Sequence, residues 1–170
     1  MDMAEYLKLT ASVLAEDGNT VTNVLLPGGP SVVGYQKQFR LRWMATMLHV
    51  FTVVVSVPLA TPEILHDVNV EAIAYAKRTK GRLRGLQTGV AVLPVVVAGR
   101  ATAEGIEAAA RRPPKDFAAI TMPALVDLST GRITRYDGRL VWGSIYTSWL
   151  RARLALLPLP SSPPTPQTVP

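Results

Sequence analysis

The strongest constraint in this chain is the run Gly89 to Gly99, GVAVLPVVVAG. Every position between its glycines is apolar, so no alternation separates an inner face from an outer one. A strand of that kind is covered on both sides, which places it at the centre of a sheet. Pro94 interrupts it. Proline has no amide hydrogen to give to a ladder, so the strand must carry a bulge or one partly unpaired side. An earlier run, Phe51 to Val57 (FTVVVSV), is rich in β-branched residues and reads as a second buried strand.

A helix joins these two strands. Thr61 can cap it, Pro62 suits the first helical position and Glu63 meets the positive end of the dipole. Leu65, Val68, Ala72 and Tyr75 or Ala76 follow helical spacing. Lys77, Arg78 and Lys80 complement the negative end, and Gly81 can terminate the helix. Strand, helix and strand in this order form a right-handed β-α-β unit with two parallel strands.

The rest of the chain supplies further strands and helices. Residues 5–14 place Leu7, Leu9, Ala11 and Val13 at alternate positions, so period two predicts a half-buried strand. Asp17-Gly18 marks a turn, Thr20 to Leu26 returns as a strand, and Pro27-Gly28-Gly29-Pro30 breaks the chain. Phe39, Leu41 and Trp43 alternate with Gln38, Arg40 and Arg42 as another strand. Thr102 can cap a short helix, Ala103 to Arg112, halted by Pro113-Pro114. Phe117 to Leu128 reads as a strand interrupted by Pro123. Ser129-Thr130-Gly131 then has the form of a three-residue hairpin loop, with Arg132 to Tyr136 returning. A final helix is expected over Val141 to Leu157.

The fold class is therefore α+β: a mixed β-sheet with about three helices in the order ββ, ββ, α, β, α, ββ, α. One domain spans residues 1–157. Residues 158–170 hold six prolines and read as a disordered Pro-rich tail. Trp43 to Ala60 carries no formal charge and sits at the lower length limit for a membrane span. Its Thr46, His49, Thr52, Ser56 and Pro58 favour a core strand, so membrane association is the minority reading. The N-terminus MDMAEYLKL lacks a basic region ahead of an apolar run, so no secretory signal is expected and the location reads as cytoplasmic. Thirteen Arg against five Lys, with abundant Ala, Val and Pro, suggest a GC-rich bacterial source.

Charge is unevenly placed. Residues 1–71 carry four cations and seven acids, net −3; residues 72–170 carry fourteen cations and five acids, net +9. Together they give the net charge of +6. Five cations fall between Lys77 and Arg84. Three of them end the helix, which leaves Arg82 and Arg84 without a structural purpose. With Arg132 and Arg135 they are the candidate anion contacts, suited to an acidic partner or a nucleic-acid backbone. Solubilising surface charge is the plainer explanation of the same residues. No aromatic lies between Lys77 and Arg112, so stacking platforms for bases are missing there. Tyr136, among Arg132, Arg135 and Arg139, is the one mixed patch.

Catalytic signals are thin. There is no cysteine, which removes disulfides, thiolate metal sites and a cysteine nucleophile. Phosphate-loop, GxGxxG, GxSxG and HExxH patterns are absent. His49 lies in an apolar strand, and His66 has Glu63 and Asn69 three residues away on either side, a weak match to a metal pair. No catalytic residue, metal ligand or cofactor is assigned. The expected function is a non-enzymatic interaction or assembly module with a basic surface. The alternatives are a backbone-directed nucleic-acid binder and a small-molecule enzyme with a pocket near Pro58 to Thr61 containing His49 or His66. The final helix carries Trp142, Tyr146 and Trp149 on an apolar face wider than one packed stripe. These three are the candidate interface of a homo-oligomer.

Overall fold

The computed structural model describes residues 1–40, 46–80, 88–113, 119–138 and 146–160. Along the chain lie α1 (Met3–Glu16), β1 (Thr20–Leu26), β2 (Gly29–Arg40), β3 (Thr46–Ala60) and α2 (Pro62–Lys80). They are followed by β4 (Thr88–Ala101), α3 (Ala103–Ala110), β5 (Ile120–Thr121), β6 (Ala124–Asp127), β7 (Arg132–Arg135) and α4 (Thr147–Leu154). The architecture is α+β, a mixed seven-stranded sheet with four helices.

The strands lie in the order β1-β2-β3-β4-β6-β7, with β5 beside β4. β1, β2 and β3 form an antiparallel meander. β3 and β4 are parallel, joined through α2. β6 is parallel to β4, and β7 turns back antiparallel on β6.

The valine-rich strands divide the core in two. Leu48, Val50 and Val54 of β3, with Leu93, Val95 and Val97 of β4, face α1 and α4. Phe51, Val53, Val55 and Val57, with Val92, Val96 and Ala98, face α2 and α3. Period-two alternation thus gives each central strand two buried faces, which is why its sequence shows no polar stripe. The apolar run weighed as a membrane span is, from Thr46 onward, the central strand β3. Among the described residues, no helix is long and apolar enough to cross a membrane.

Pro94 has the expected effect. β4 pairs with β5 through Ala91 and Val92, then with β6 through Val95 to Ala98. Between these ladders Leu93 and Pro94 face Met122 and Pro123 in unchanged register, so two prolines lie opposite each other at the break. On its other side β4 pairs with β3 continuously from Thr88 to Ala98, Pro94 included, and again at Arg100 and Ala101.

Residues 5–14 depart from the expected strand: they belong to the helix α1. Asp2 caps it, accepting from Glu5 N at 2.8 Å. Tyr6, Leu7, Thr10 and Leu14 are buried at three- and four-residue spacing. The alternation of Leu7, Leu9, Ala11 and Val13 coincides with part of that stripe, while Leu9 points to solvent. Pro27-Gly28 is the tight end of a hairpin, since Leu26 pairs with Gly29 and β2 starts at once. The alternation at Phe39 is the end of β2; residues 41–45 lie outside the described residues.

The helix expectations around α2 and α3 hold. Thr61 Oγ1 accepts from Ile64 N at 3.4 Å, and Thr102 Oγ1 from Gly105 N at 3.0 Å. The final helix is described from Thr147 to Leu154. Just beyond it Tyr6 Oη of α1 donates to the Pro158 carbonyl at 2.9 Å; residues 161–170 of the expected Pro-rich tail lie outside the described residues.

Candidate functional site: the arginines around the last strand

Two of the four proposed anion contacts, Arg132 and Arg135, open and close β7. Arg82 and Arg84 lie outside the described residues. The turn that delivers β7 is built by Asp127, a buried carboxylate at the end of β6. Its Oδ1 accepts from Ser129 N at 2.9 Å and Ser129 Oγ at 2.7 Å, and its Oδ2 accepts from Thr130 Oγ1 at 3.0 Å. Gly131 follows at φ 68, the left-handed conformation that the hairpin loop requires. Asp127 is therefore occupied by the turn and offers no general base.

β7 lies at the edge of the sheet. Its register sets Arg132 opposite Asp127 and Arg135 opposite Ala124. Three residues apart on a strand, the two arginines point to opposite faces and bracket the free edge. Both line one depression of about 510 Å³, shared with Ile133, Leu154 and Leu157.

Further arginines gather here. Arg112, at the exit of α3, donates from Nε to Tyr136 Oη at 3.1 Å. Arg111 beside it pairs with Glu107 at 2.5 Å, both exposed. Arg151 of α4 reaches back to the Asp137 and Gly138 carbonyls, so it closes the turn after β7. Arg135 Nε stands 3.6 Å from the exposed Asp137 carboxylate. Arg132 is exposed and makes no ion pair among the described residues. The surface thus separates by role: Arg151 holds the fold, Arg111 and Arg135 are loosely neutralised, and Arg132 has no hydrogen-bond or ion-pair partner among the described residues. Arg111, Arg112 and Arg151 were not singled out from sequence. The Arg111-Arg112 pair ahead of Pro113 was the available signal; its proximity to Tyr136 arises only from packing.

Tyr136, the aromatic of this patch, has its hydroxyl bonded to Arg112. The proposed interface aromatics are placed differently. Tyr146 and Trp149 are buried against the sheet with Leu150 and Leu154, and Trp142 lies outside the described residues. In the described part of this helix, Trp149, Leu150 and Leu154 are buried within the chain's own core.

The two histidines are far apart. His49 is buried in β3, its Nδ1 2.8 Å from Tyr35 Oη. His66 lies near the start of α2, beyond the other end of β3, and is exposed. It lines a pocket of about 160 Å³ between α2 and α3 with Asn69, Arg111, Arg112 and Pro123. Asn69 Oδ1 is buried without a hydrogen-bond partner among the described residues. One turn earlier, a hydrogen bond with Thr61 and the backbone N–H at Glu63 hold the Glu63 carboxyl below the usual carboxylate range. Among the described residues, no three His, Asp or Glu side chains come together as a metal site.

No protein-family model, no curated protein and no solved structure matches this chain.

Proposed function

We propose that this chain is a non-enzymatic interaction module whose contact surface is the arginine-bracketed β7 edge, and that its partner is anionic and recognised through its backbone. The observation that carries the reading is the placing of Arg132 and Arg135 on one depression, with Arg112 bonded to Tyr136 just past β7 and Arg111 next to it in sequence; Glu107 pairs with Arg111 and Asp137 with Arg135. Guanidinium groups suit phosphate oxygens because their paired N–H groups match them two at a time. Tyr136, tied to Arg112, orients a cation and does not offer a free stacking face. Such contacts read charge and spacing and carry no base sequence.

Titrating salt against binding to a generic DNA duplex tests this. Binding strengthens as salt falls, and Arg132→Ala with Arg135→Ala removes about two phosphate contacts, lowering the salt slope by roughly 1.8. Absence of binding at low salt, or a slope unchanged in the double variant, defeats the proposal.

The pocket beside His66 favours a second reading, a site for a small anion. Its support is a lining of His66, Asn69, Arg111 and Arg112, side chains that can all donate hydrogen bonds to an anion. It ranks lower because His66 is exposed and Arg111 in the same lining is already paired with Glu107. A small ligand that stabilises the wild type and the His66→Ala and Asn69→Ala variants equally removes it.

A further inference from the structure

The two edges of the sheet are built differently. β7 carries an arginine at each end, the common means by which an edge strand is kept from pairing with another chain. β1, TVTNVLL, has seven residues with no charge and no proline. Its far side is unpaired among the described strands. Leu25, near its end, is 81% exposed. Beside it a groove of about 530 Å³ runs between α1 and the β1-β2 hairpin, lined by Ala4, Leu7, Ala11, Val24 and Val32. Among the described residues, one edge is flanked by arginines and the other is uncharged and unpaired.

We infer that β1 is a homodimer interface, in which two copies pair their β1 strands antiparallel about a two-fold axis at Asn23. Under that axis the whole strand overlaps itself. Asn23 meets Asn23 of the second copy, Thr22 meets Val24, and Val21 meets Leu25. No charged side chain of either strand faces another, so self-pairing carries none of the like-charge cost that usually forbids it. Each Leu25 then covers Val21 of the other copy. Val21 and Ala11 are partly buried at the margin of the cluster under α1. The contact therefore extends an existing core across the axis. Lys8 is the charged residue in the groove lining, and it is exposed, so its stem can lie along the contact with the ammonium in water.

A second copy fits this edge better than a head-to-tail contact. β1 against β7 of another copy would set a neutral strand beside two arginines with no anion to meet them, and repetition would give an open fibre. The two-fold pairing closes on itself. It also does not depend on the β7 surface, which lies at the opposite edge of the sheet.

Light scattering after size exclusion tests the pairing with four proteins and one mixture. Wild type runs as a dimer. Asn23→Lys and Asn23→Asp, both at an exposed position, each put like charges face to face at the axis and run as folded monomers. Mixing the two variants one to one restores a dimer, because opposite charges now meet. Thr79→Lys, on the exposed end of α2, stays dimeric and controls for added charge. If either Asn23 variant loses its circular dichroism spectrum, Thr22→Lys at the neighbouring exposed position takes its place and is expected to be monomeric. A wild-type monomer at all concentrations overturns the inference. So does a dimer that survives the Asn23 substitutions, or a mixture that remains monomeric.

Discussion

Asp17 ends α1 and ties it to elements far along the chain, so its removal has a calculable cost. Arg153 Nη1 lies 2.6 Å from Asp17 Oδ1 and also contacts Oδ2. Gln36 Nε2 donates to Oδ2 at 3.1 Å, and Asn19 Nδ2 at 3.3 Å. Hydrogen bonds to a charged group contribute about 1.5–3 kcal/mol when shielded from water. Here the side chains are 21% and 24% exposed, so screening places the ion pair at the low end. Asp17 also sits at the negative end of the α1 dipole, where a carboxylate is unfavourable by about 0.3–1 kcal/mol. The Gln36 and Asn19 amides each lose one acceptor, which adds a little to the cost although they keep the Asp17 and Leu14 carbonyls. Asp17→Ala is therefore expected to lose about 2 kcal/mol. For a chain of this length that lowers Tm by roughly 4–8 °C. Arg153 also lies against the Trp149 ring, 5.2 Å from its centroid, so Arg153→Ala alone overstates the pair. A double-mutant cycle of Asp17→Ala and Arg153→Ala, followed by thermal unfolding, isolates it; a coupling near 1 kcal/mol is expected. An Asp17→Ala loss below about 0.5 kcal/mol with no coupling would refute the reasoning.

The alkaline limit of stability is set in part by Tyr6. Burial drives its phenol well above the ordinary tyrosine value of about 10. The unfolded chain then loses this proton first, so the contribution is full below pH 10 and falls by up to about 1.4 kcal/mol per pH unit above it. Tyr6→Phe, compared with wild type in urea melts across that range, should flatten this slope; parallel curves would exclude the assignment. At Gly105 a Cβ would lie 2.6 Å from the Ala60 carbonyl oxygen. Gly105→Ala is expected to push α3 off the end of β3 and cost about 1–3 kcal/mol in chemical denaturation, despite alanine's higher helix propensity. A more stable variant would show that this approach is not tight.

The central strands were legible because their period carried no ambiguity. Gly89 to Ala98 is apolar on both faces, and only a strand covered on both sides suits it. The helix α2 was equally clear, because Thr61, Pro62 and Glu63 together mark its start. α1 was not, because the apolar residues from Leu7 to Val13 satisfy period two and part of period 3.6 at once. The Asp2 and Glu5 spacing, an acceptor three residues ahead of the amide it caps, was the signal that decides between them. The surface around β7 was half legible. Arg132 and Arg135 stood out as charges on a short strand, but their junction with Arg112 comes from the docking of α3 beside β7. The burial of Tyr146 and Trp149 has a similar origin: helix width alone does not say whether the covering surface is the chain's own sheet. Contacts such as Tyr6 to Pro158 join residues that no local pattern relates.

The facing prolines in β4 and beside β6 have a consequence for pairing accuracy. Val95, Val96 and Val97 are three identical side chains in a row, and a slip by two residues along a neighbour would keep almost every apolar contact on the correct face. Such a slip would carry Pro94 into a paired stretch of the ladder, where an amide donor is required, and move Pro123 off the gap that now accepts it. Both errors arise together, because the two rings share one gap. The interruption thus works as a keyway: a uniform, valine-rich strand that could settle in several alignments is admitted in one.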